Sequence, residues 1–245
     1  ELMKHIPEGS IDMILCDLPY GTTRNKWDSI IAFEPLWKQY ERIIKDDGAI
    51  VLFSQPPFDK AISMSNIKIF RYEWIWEKTK ATGHLNAKRC PMKAHENICV
   101  FYKNLPTYNP QGLVKKEIPT IRKGKNGNGS NYGKSDKDAL QEYENYPKDI
   151  LVFSSVSKPQ HPTQKPVALL EYLVKTYTNP GDLVLDNCMG SGSTGVTAKK
   201  LDRHYLGIEQ NEQYCAWAQY RLERAETDKR IQGYEDGVFK ARNER

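Results

Sequence analysis

Apolar and polar positions fall into blocks along the chain, and the blocks predict elements. Ile11-Asp12-Met13-Ile14-Leu15-Cys16 is an apolar run that stops at Asp17-Leu18-Pro19-Tyr20-Gly21. Pro and Gly so close together end a strand and open a loop, which polar Thr22 to Asp28 continues. From Pro35 to Ile44, Leu36, Tyr40, Ile43 and Ile44 recur at helical spacing, and Asp46-Asp47-Gly48 closes that helix. Ala49 to Phe53 is apolar throughout and predicts a buried strand. A helix is expected over 58–66, with strands over 72–77 and 98–102. From Lys103 to about Asp149 the periodicity dissolves, and residues 122–134 read RKGKNGNGSNYGK, a flexible loop or linker. Beyond it the pattern predicts a helix over 166–176, a strand over 183–185, a helix over 194–201, a strand over 205–208 and a long amphipathic helix over 212–227.

Strands alternating with helices imply an α/β fold, a mostly parallel sheet with helices on both faces. Composition narrows the class. Lys and Arg number 36 against 31 Asp and Glu, a formal charge of +5, so the location of the charge matters more than its sum. Aromatic residues at 11% argue against disorder. A mean hydropathy of −0.69 and the lack of any apolar run near 20 residues exclude a membrane span. No basic start followed by an apolar run marks a signal peptide, so the cytoplasm is the expected location. Five scattered cysteines suit reduced thiols better than a disulfide framework.

The richest chemistry lies in 183–209, LVLDNCMGSGSTGVTAKKLDRHYLGIE. A strand leads into Gly190-Ser191-Gly192-Ser193-Thr194-Gly195, then a helix, a second strand and a terminal acid, Glu209. Glycines let backbone approach a ligand at a strand's carboxyl end, and an acid closing the next strand can bind both ribose hydroxyls. The loop matches GxGxxG literally, which keeps a dinucleotide-binding oxidoreductase in view. Against it, Asp186-Asn187-Cys188-Met189 separates strand from first glycine, and Asp186 suits an ammonium group better than a pyrophosphate. A phosphate-binding P-loop fails because no Lys follows the last glycine, while a purely structural glycine turn stays open. S-adenosylmethionine, with its amine, sulfonium and ribose, fits this residue set best.

Two further motifs carry a resemblance. Asp17-Leu18-Pro19-Tyr20 resembles the (D/N/S)-P-P-(Y/F/W) signature of DNA methyltransferases that modify exocyclic amino groups, and His161-Pro162-Thr163-Gln164-Lys165-Pro166 is similar to the segment preceding their cofactor loop. With the catalytic motif first and the cofactor motif last, the order resembles the circularly permuted β group. The resemblance implies a Rossmann-like methyltransferase sheet, with 1–103 and 151–228 as catalytic and cofactor core. Residues 104–150 would be a target-recognition insertion or flexible loop, and 229–245 a tail. It implies catalysis by Asp17, Leu18, Pro19 and Tyr20. Cofactor binding falls to Asp17, Thr163, Lys165, Asp186, Gly190, Ser191, Gly192, Ser193, Thr194 and Glu209. The chain departs from the family in having Leu18 for the usual Pro and Asn187-Cys188 for Pro-Phe. It begins at Glu1, and the family's Gly-Asp stretch of the adenine pocket would precede that residue.

In the implied mechanism Asp17 and the Leu18 carbonyl each accept one amino hydrogen of a base flipped from duplex DNA, with Tyr20 stacking on it and Pro19 stiffening the loop. An aspartate in the first position resembles N6-adenine members, and N4-cytosine is the alternative. Arg24, Lys26 and Trp27 stand near the catalytic turn as a loop that closes over the base. Lys88, Arg89, Lys93, Lys123 and Lys125 belong to a basic stretch suited to phosphates. A catalytically silent DNA-binding protein is a further alternative. Partners implied by resemblance are double-stranded DNA, a second copy of the chain and a cognate restriction enzyme. His84, Cys90, His95 and Cys99 match no standard ligand spacing, so no metal is expected.

Overall fold

The computed structural model describes residues 1–23, 25, 28–124, 138–156 and 163–225. It divides into two compact units, one of residues 1–109 with 149–245 and one of residues 110–148.

In the first unit the chain runs β1 (Ile11–Cys16), α1 (Phe33–Ile43), β2 (Ile44–Ser54), α2 (Phe58–Ser65), β3 (Phe70–Thr82) and β4 (Lys93–Phe101). The second unit contributes β5 (Val114–Arg122) and β6 (Ala139–Glu144). The first unit resumes with β7 (Ile150–Phe153), α3 (Val167–Tyr177), β8 (Leu183–Asp186), α4 (Ser193–Lys200), β9 (His204–Gly207) and α5 (Glu212–Arg224). Seven strands form one sheet in the order β7-β3-β4-β2-β1-β8-β9. Only β4 runs against the others, so the sheet is mostly parallel, as the alternation of elements implies.

Successive strand residues point to opposite faces, and both faces are covered. On one, Ile14, Cys16, Ile50, Leu52, Cys99 and Phe101 meet Leu36, Trp37 and Tyr40 of α1 and Phe58 and Ile62 of α2. On the other, Met13, Leu15, Val51, Phe53, Trp74, Trp76, Ile98 and Val100 meet Leu169, Leu170, Leu173 and Val174 of α3 and Ala198 of α4. In α1 the buried residues Leu36, Trp37, Tyr40 and Ile43 recur on one face of the helix. Each such burial contributes about 1.5–3 kcal/mol.

Several boundaries move. The helix expected to close at Asp46-Asp47-Gly48 ends at Ile43, and β2 starts at once. Ile44 pairs with Ile11 and Ala49 with Met13, so residues 45–48 bulge out of the ladder. Gly48 fits there because a Cβ would lie 2.8 Å from the Asp12 carbonyl. The region read as patternless contains β5 and β6, which pair antiparallel with both faces largely exposed. With no buried face, neither strand carries an apolar period. The 229–245 tail lies outside the described residues, as does 125–137 of the Gly/Asn/Lys-rich loop.

Candidate functional site

The chain steps from β1 to β2 on one side and from β8 to β9 on the other, while β1 and β8 are parallel neighbours. Such a reversal opens a crevice at the carboxyl ends of the strands. A cavity of about 700 Å³ lies there. It is lined by the turn after β1 (Asp17, Leu18, Pro19, Tyr20), by Thr163 and Lys165, by Asp186 at the end of β8, by Gly190, Ser191, Ser193 and Thr194, and by Glu209 after β9. Residues from three distant stretches of sequence thus share one space.

At its centre is a group of alternating charges. Lys165 donates to Asp17 Oδ2, and the Tyr20 hydroxyl donates to Asp17 Oδ1 at 2.5 Å. Lys165 Nζ also stands 3.6 Å from Glu96 Oε2, whose other oxygen accepts from Lys78 at 2.5 Å. Burial raises the Asp17 carboxyl above its ordinary value, outweighing the pull of Lys165, and Glu96 adds to the rise. For Lys165 burial works against the charge, but Asp17 and Glu96 prevail and hold the ammonium above its ordinary pKa. Burial would also raise Glu96, yet Lys165 and Lys78 keep it low. The Leu18 carbonyl accepts no hydrogen bond among the described residues. One face of the Tyr20 ring is taken by Phe58, with centroids 5.1 Å apart.

The glycine loop is held from both ends. Glu209 Oε2 accepts from Gly190 N at 2.9 Å, while Oε1 accepts from the N–H groups of Gln210 and Asn211, each at 2.9 Å. A carboxylate has about four acceptor sites, so capacity for a further donor remains. Asp186 accepts from Thr194 Oγ1 at 2.7 Å and from Cys188 N at 3.1 Å, yet burial pushes its pKa up to about 6. Asn187 is anchored by the buried Tyr40 hydroxyl at 2.5 Å. The substitution at that position is therefore built into the packing of α1.

Of the expected cofactor residues, Gly192 alone does not line the cavity. Its φ is +76°, and a Cβ would lie 2.8 Å from Ala218 Cβ, so this glycine serves the approach of α5. Gly195 does the same work against the Tyr205 ring.

The loop after the β1 turn is tied by Asp28, whose carboxylate accepts from the N–H groups of Gly21, Thr22 and Thr23 at 2.8, 3.0 and 2.6 Å. Arg24, Lys26 and Trp27 within it lie outside the described residues, as do Lys125, His161 and Pro162. Lys88 and Arg89 are exposed between β3 and β4. Lys93 is exposed at the start of β4, donating to Gln55 Oε1 at 3.2 Å, and Gln55 lines the cavity. Lys123 is exposed in the second unit. Among the described residues no His, Cys, Asp and Glu groups gather as a metal site, and no helix is long and apolar enough to cross a membrane.

Sequence reasoning missed Glu96 and Arg221, and it counted Lys78 only within the basic stretch suited to phosphates, whereas its side chain is largely buried and paired with Glu96. Alternation along β4 could have found Glu96, which shares the inward face of Ile98 and Val100. Lys78 likewise follows Trp74 and Trp76 on β3 and lies over the Trp76 ring at 5.0 Å.

The DNA methylase family matches residues 11–220. The chain belongs to that family. It is 29% identical over 241 residues to the Type II methyltransferase M.HpaI of Haemophilus parainfluenzae, covering 90% of this chain and 71% of the relative. It is 28% identical over 244 residues to the DNA adenine methyltransferase YhdJ of Escherichia coli (strain K12), covering 90% and 79%. Among solved structures, the M1.HpyAVI–SAM complex superposes with a TM-score of 0.61 at 24% identity, over 90% of this chain and 92% of that one. The PvuII DNA methyltransferase, described as cytosine-N4-specific, gives 0.65 at 17% identity over 95% and 85%. As a DNA methylase family member the chain is a DNA methyltransferase, and the fold agrees with both solved structures.

Proposed function

We propose that this methyltransferase transfers a methyl group from S-adenosylmethionine to the N6 amino group of adenine in double-stranded DNA. The observation that carries the reading is the single cavity shared by the Asp17–Tyr20 turn, Lys165, Asp186, the glycine loop and Glu209. The donor and acceptor set fits the cofactor. Asp186 offers a carboxylate to the ammonium, Glu209 retains acceptor capacity for ribose hydroxyls, and Gly190 and Ser191 line the cavity beside them. Thr163 and Lys165 complete the wall. The printed names of M1.HpyAVI–SAM and of the adenine methyltransferase YhdJ support cofactor and base.

When bound, the cofactor supplies an electrophilic methyl group on a sulfonium, whose carbon–sulfur bond breaks as the new carbon–nitrogen bond forms. The protein's part is to prepare the nitrogen. An exocyclic amine is a poor nucleophile because its lone pair is delocalised into the ring. Asp17 accepts one amino hydrogen and the free Leu18 carbonyl the other, which favours a localised lone pair. Lys165 keeps the Asp17 carboxylate oriented from its far oxygen. Tyr20 gives up Oδ1 to the incoming amine, and Asp17 is the nearest base for the proton the amine sheds. Reaching this cavity requires the base to leave the duplex. Lys88, Arg89, Lys93 and Lys123 supply phosphate contacts, with Arg24, Lys26, Trp27 and Lys125 assigned by sequence alone. The Type II name of M.HpaI favours a cognate restriction enzyme as partner and work in the cytoplasm, and a homodimer rests on the family resemblance.

Labelled S-adenosylmethionine and mixed-sequence duplex DNA, followed by digestion and mass spectrometry of the nucleosides, test the proposal. N6-methyladenine is the expected product. N4-methylcytosine, favoured by the likeness to the PvuII enzyme, would keep the mechanism and overturn the base. Asp17→Asn is expected to lower kcat at least about a hundredfold while DNA binding is largely kept. Unchanged turnover in that variant would remove Asp17 from the chemistry.

A further inference from the structure

Arg221 is the one buried guanidinium whose charge no carboxylate meets among the described residues. It is 2% exposed on α5, and no acid lies within ion-pair distance of it. Its partners are dipoles. Nη1 donates to the Ser191 carbonyl and to Ser191 Oγ at 2.7 Å, and Nη2 donates to Ser193 Oγ at 3.1 Å. Nε is buried with no partner among the described residues. Burial lowers the guanidinium pKa to about 10, so this cation is held against a real desolvation cost. A cation kept under such conditions is expected to meet a negative charge in some working state of the protein.

The two serines say where. Each hydroxyl has one hydrogen, and here each oxygen is an acceptor toward Arg221, so the hydrogen is left to donate elsewhere. Neither hydroxyl hydrogen finds an acceptor among the described residues, and both serines line the cavity. The arginine thus sets two polarised O–H donors on the cavity wall. The same helix face that forces glycine at position 192, through Ala218, delivers Arg221 three residues later.

We infer that Arg221 is a positioning residue that makes the glycine loop a carboxylate cradle, with the Ser191 and Ser193 hydroxyls donating to the carboxylate at the methionine end of S-adenosylmethionine. The inference rests on the cofactor reading above and assigns one end of the ligand to one pair of side chains. It gives the buried cation a counter-charge through the two hydroxyls, and it orients the ligand by its only anionic group.

The test pairs a residue change with a ligand change, in calorimetry without DNA so that nothing turns over. S-adenosylmethionine and its decarboxylated form are titrated into the native protein, into Arg221→Met and into the double variant Ser191→Ala/Ser193→Ala. The native protein is expected to bind the decarboxylated ligand at least about tenfold more weakly than S-adenosylmethionine. Both variants are expected to lose at least about tenfold for S-adenosylmethionine and to bind the decarboxylated ligand as the native protein does. Equal weakening of both ligands would mean that Arg221 only shapes the loop, and would overturn the inference. Native protein that binds neither ligand would instead overturn the cofactor reading. The serine double variant leaves Arg221 and the helix packing in place, so the comparison stands even where Arg221→Met does not fold.

Discussion

Asp186 ties stability and ligand binding together through one proton. Its carboxyl is buried and raised from 3.8 to about 6, so in the folded, ligand-free protein ionising it costs free energy that the unfolded chain does not spend. The stability this group contributes is therefore full below about pH 4 and is lost as pH rises through about 6, by roughly 3 kcal/mol. Asp186→Asn is expected to raise the Tm of the ligand-free protein at pH 8 and to leave it unchanged near pH 4, as read by thermal melts. On the proposed reading the same change removes the charge offered to the cofactor's ammonium. Native affinity should then rise between pH 5 and 7, and the variant's should stay low and flat. Lys165 gives the opposite case. Removing it as Lys165→Met takes away the cation between Asp17 and Glu96, leaving Lys78 to pair Glu96 and nothing to pair Asp17, a loss of about 3–5 kcal/mol. Glu96→Gln in that background should recover a large part of the Tm, and no recovery would mean that the two acids do not feel each other. At this scale the sequence was readable wherever residues are contiguous, as in Asp17–Tyr20 and Gly190–Thr194. Glu96 and Arg221 were not read, because strand register and helix phase bring them to the site.

α5 lies hard against the loop from Asp186 to Ser193, through Ala218 at Gly192 and Arg221 at Ser191 and Ser193. Gly192 meets Ala218 through its missing side chain at 2.8 Å and sits at φ +76°, so two separate penalties oppose any larger residue there. Gly192→Ala is expected to cost about 1–3 kcal/mol in stability. Adding Ala218→Gly should return the part due to the clash and leave the part due to the backbone, which a double-mutant cycle on thermal or urea melts separates. Full additivity would show that α5 does not bear on the loop. The glycine motif was legible as a motif, but its division of labour was not. One glycine lines the cavity and another receives a helix, and spacing alone does not distinguish them. Strands show the same limit. Buried β1 and β2 announced themselves by apolar runs, whereas β7 is four residues at the sheet edge and owes its form to parallel pairing with β3.

The two compact units differ in how they hold together and in charge. In residues 110–148, eight Lys and Arg stand against five Asp and Glu, an excess of three in a chain whose total is +5. β5 and β6 expose Val114, Ile118, Ile121, Leu140 and Tyr143 and bury no residue fully, so this unit has little core of its own. The first unit, by contrast, secures the chain on either side of the insertion. Asn109 N donates to the Thr176 carbonyl at 2.7 Å, and the Asp149 carbonyl accepts from Ile75 N at 2.7 Å. Both anchors lie outside residues 110–148, as does every residue that lines the cavity. Replacing 110–148 by a short Gly/Ser linker should therefore leave a folded protein that melts cooperatively and binds S-adenosylmethionine within a fewfold of the full chain. DNA affinity should fall and, because the cations proposed there for phosphate contact go with the segment, depend less steeply on salt. Fluorescence anisotropy over a salt series reads that slope directly. A shortened chain with the original slope would move the DNA contacts to Lys88, Arg89 and Lys93 and leave the second unit without a part in binding.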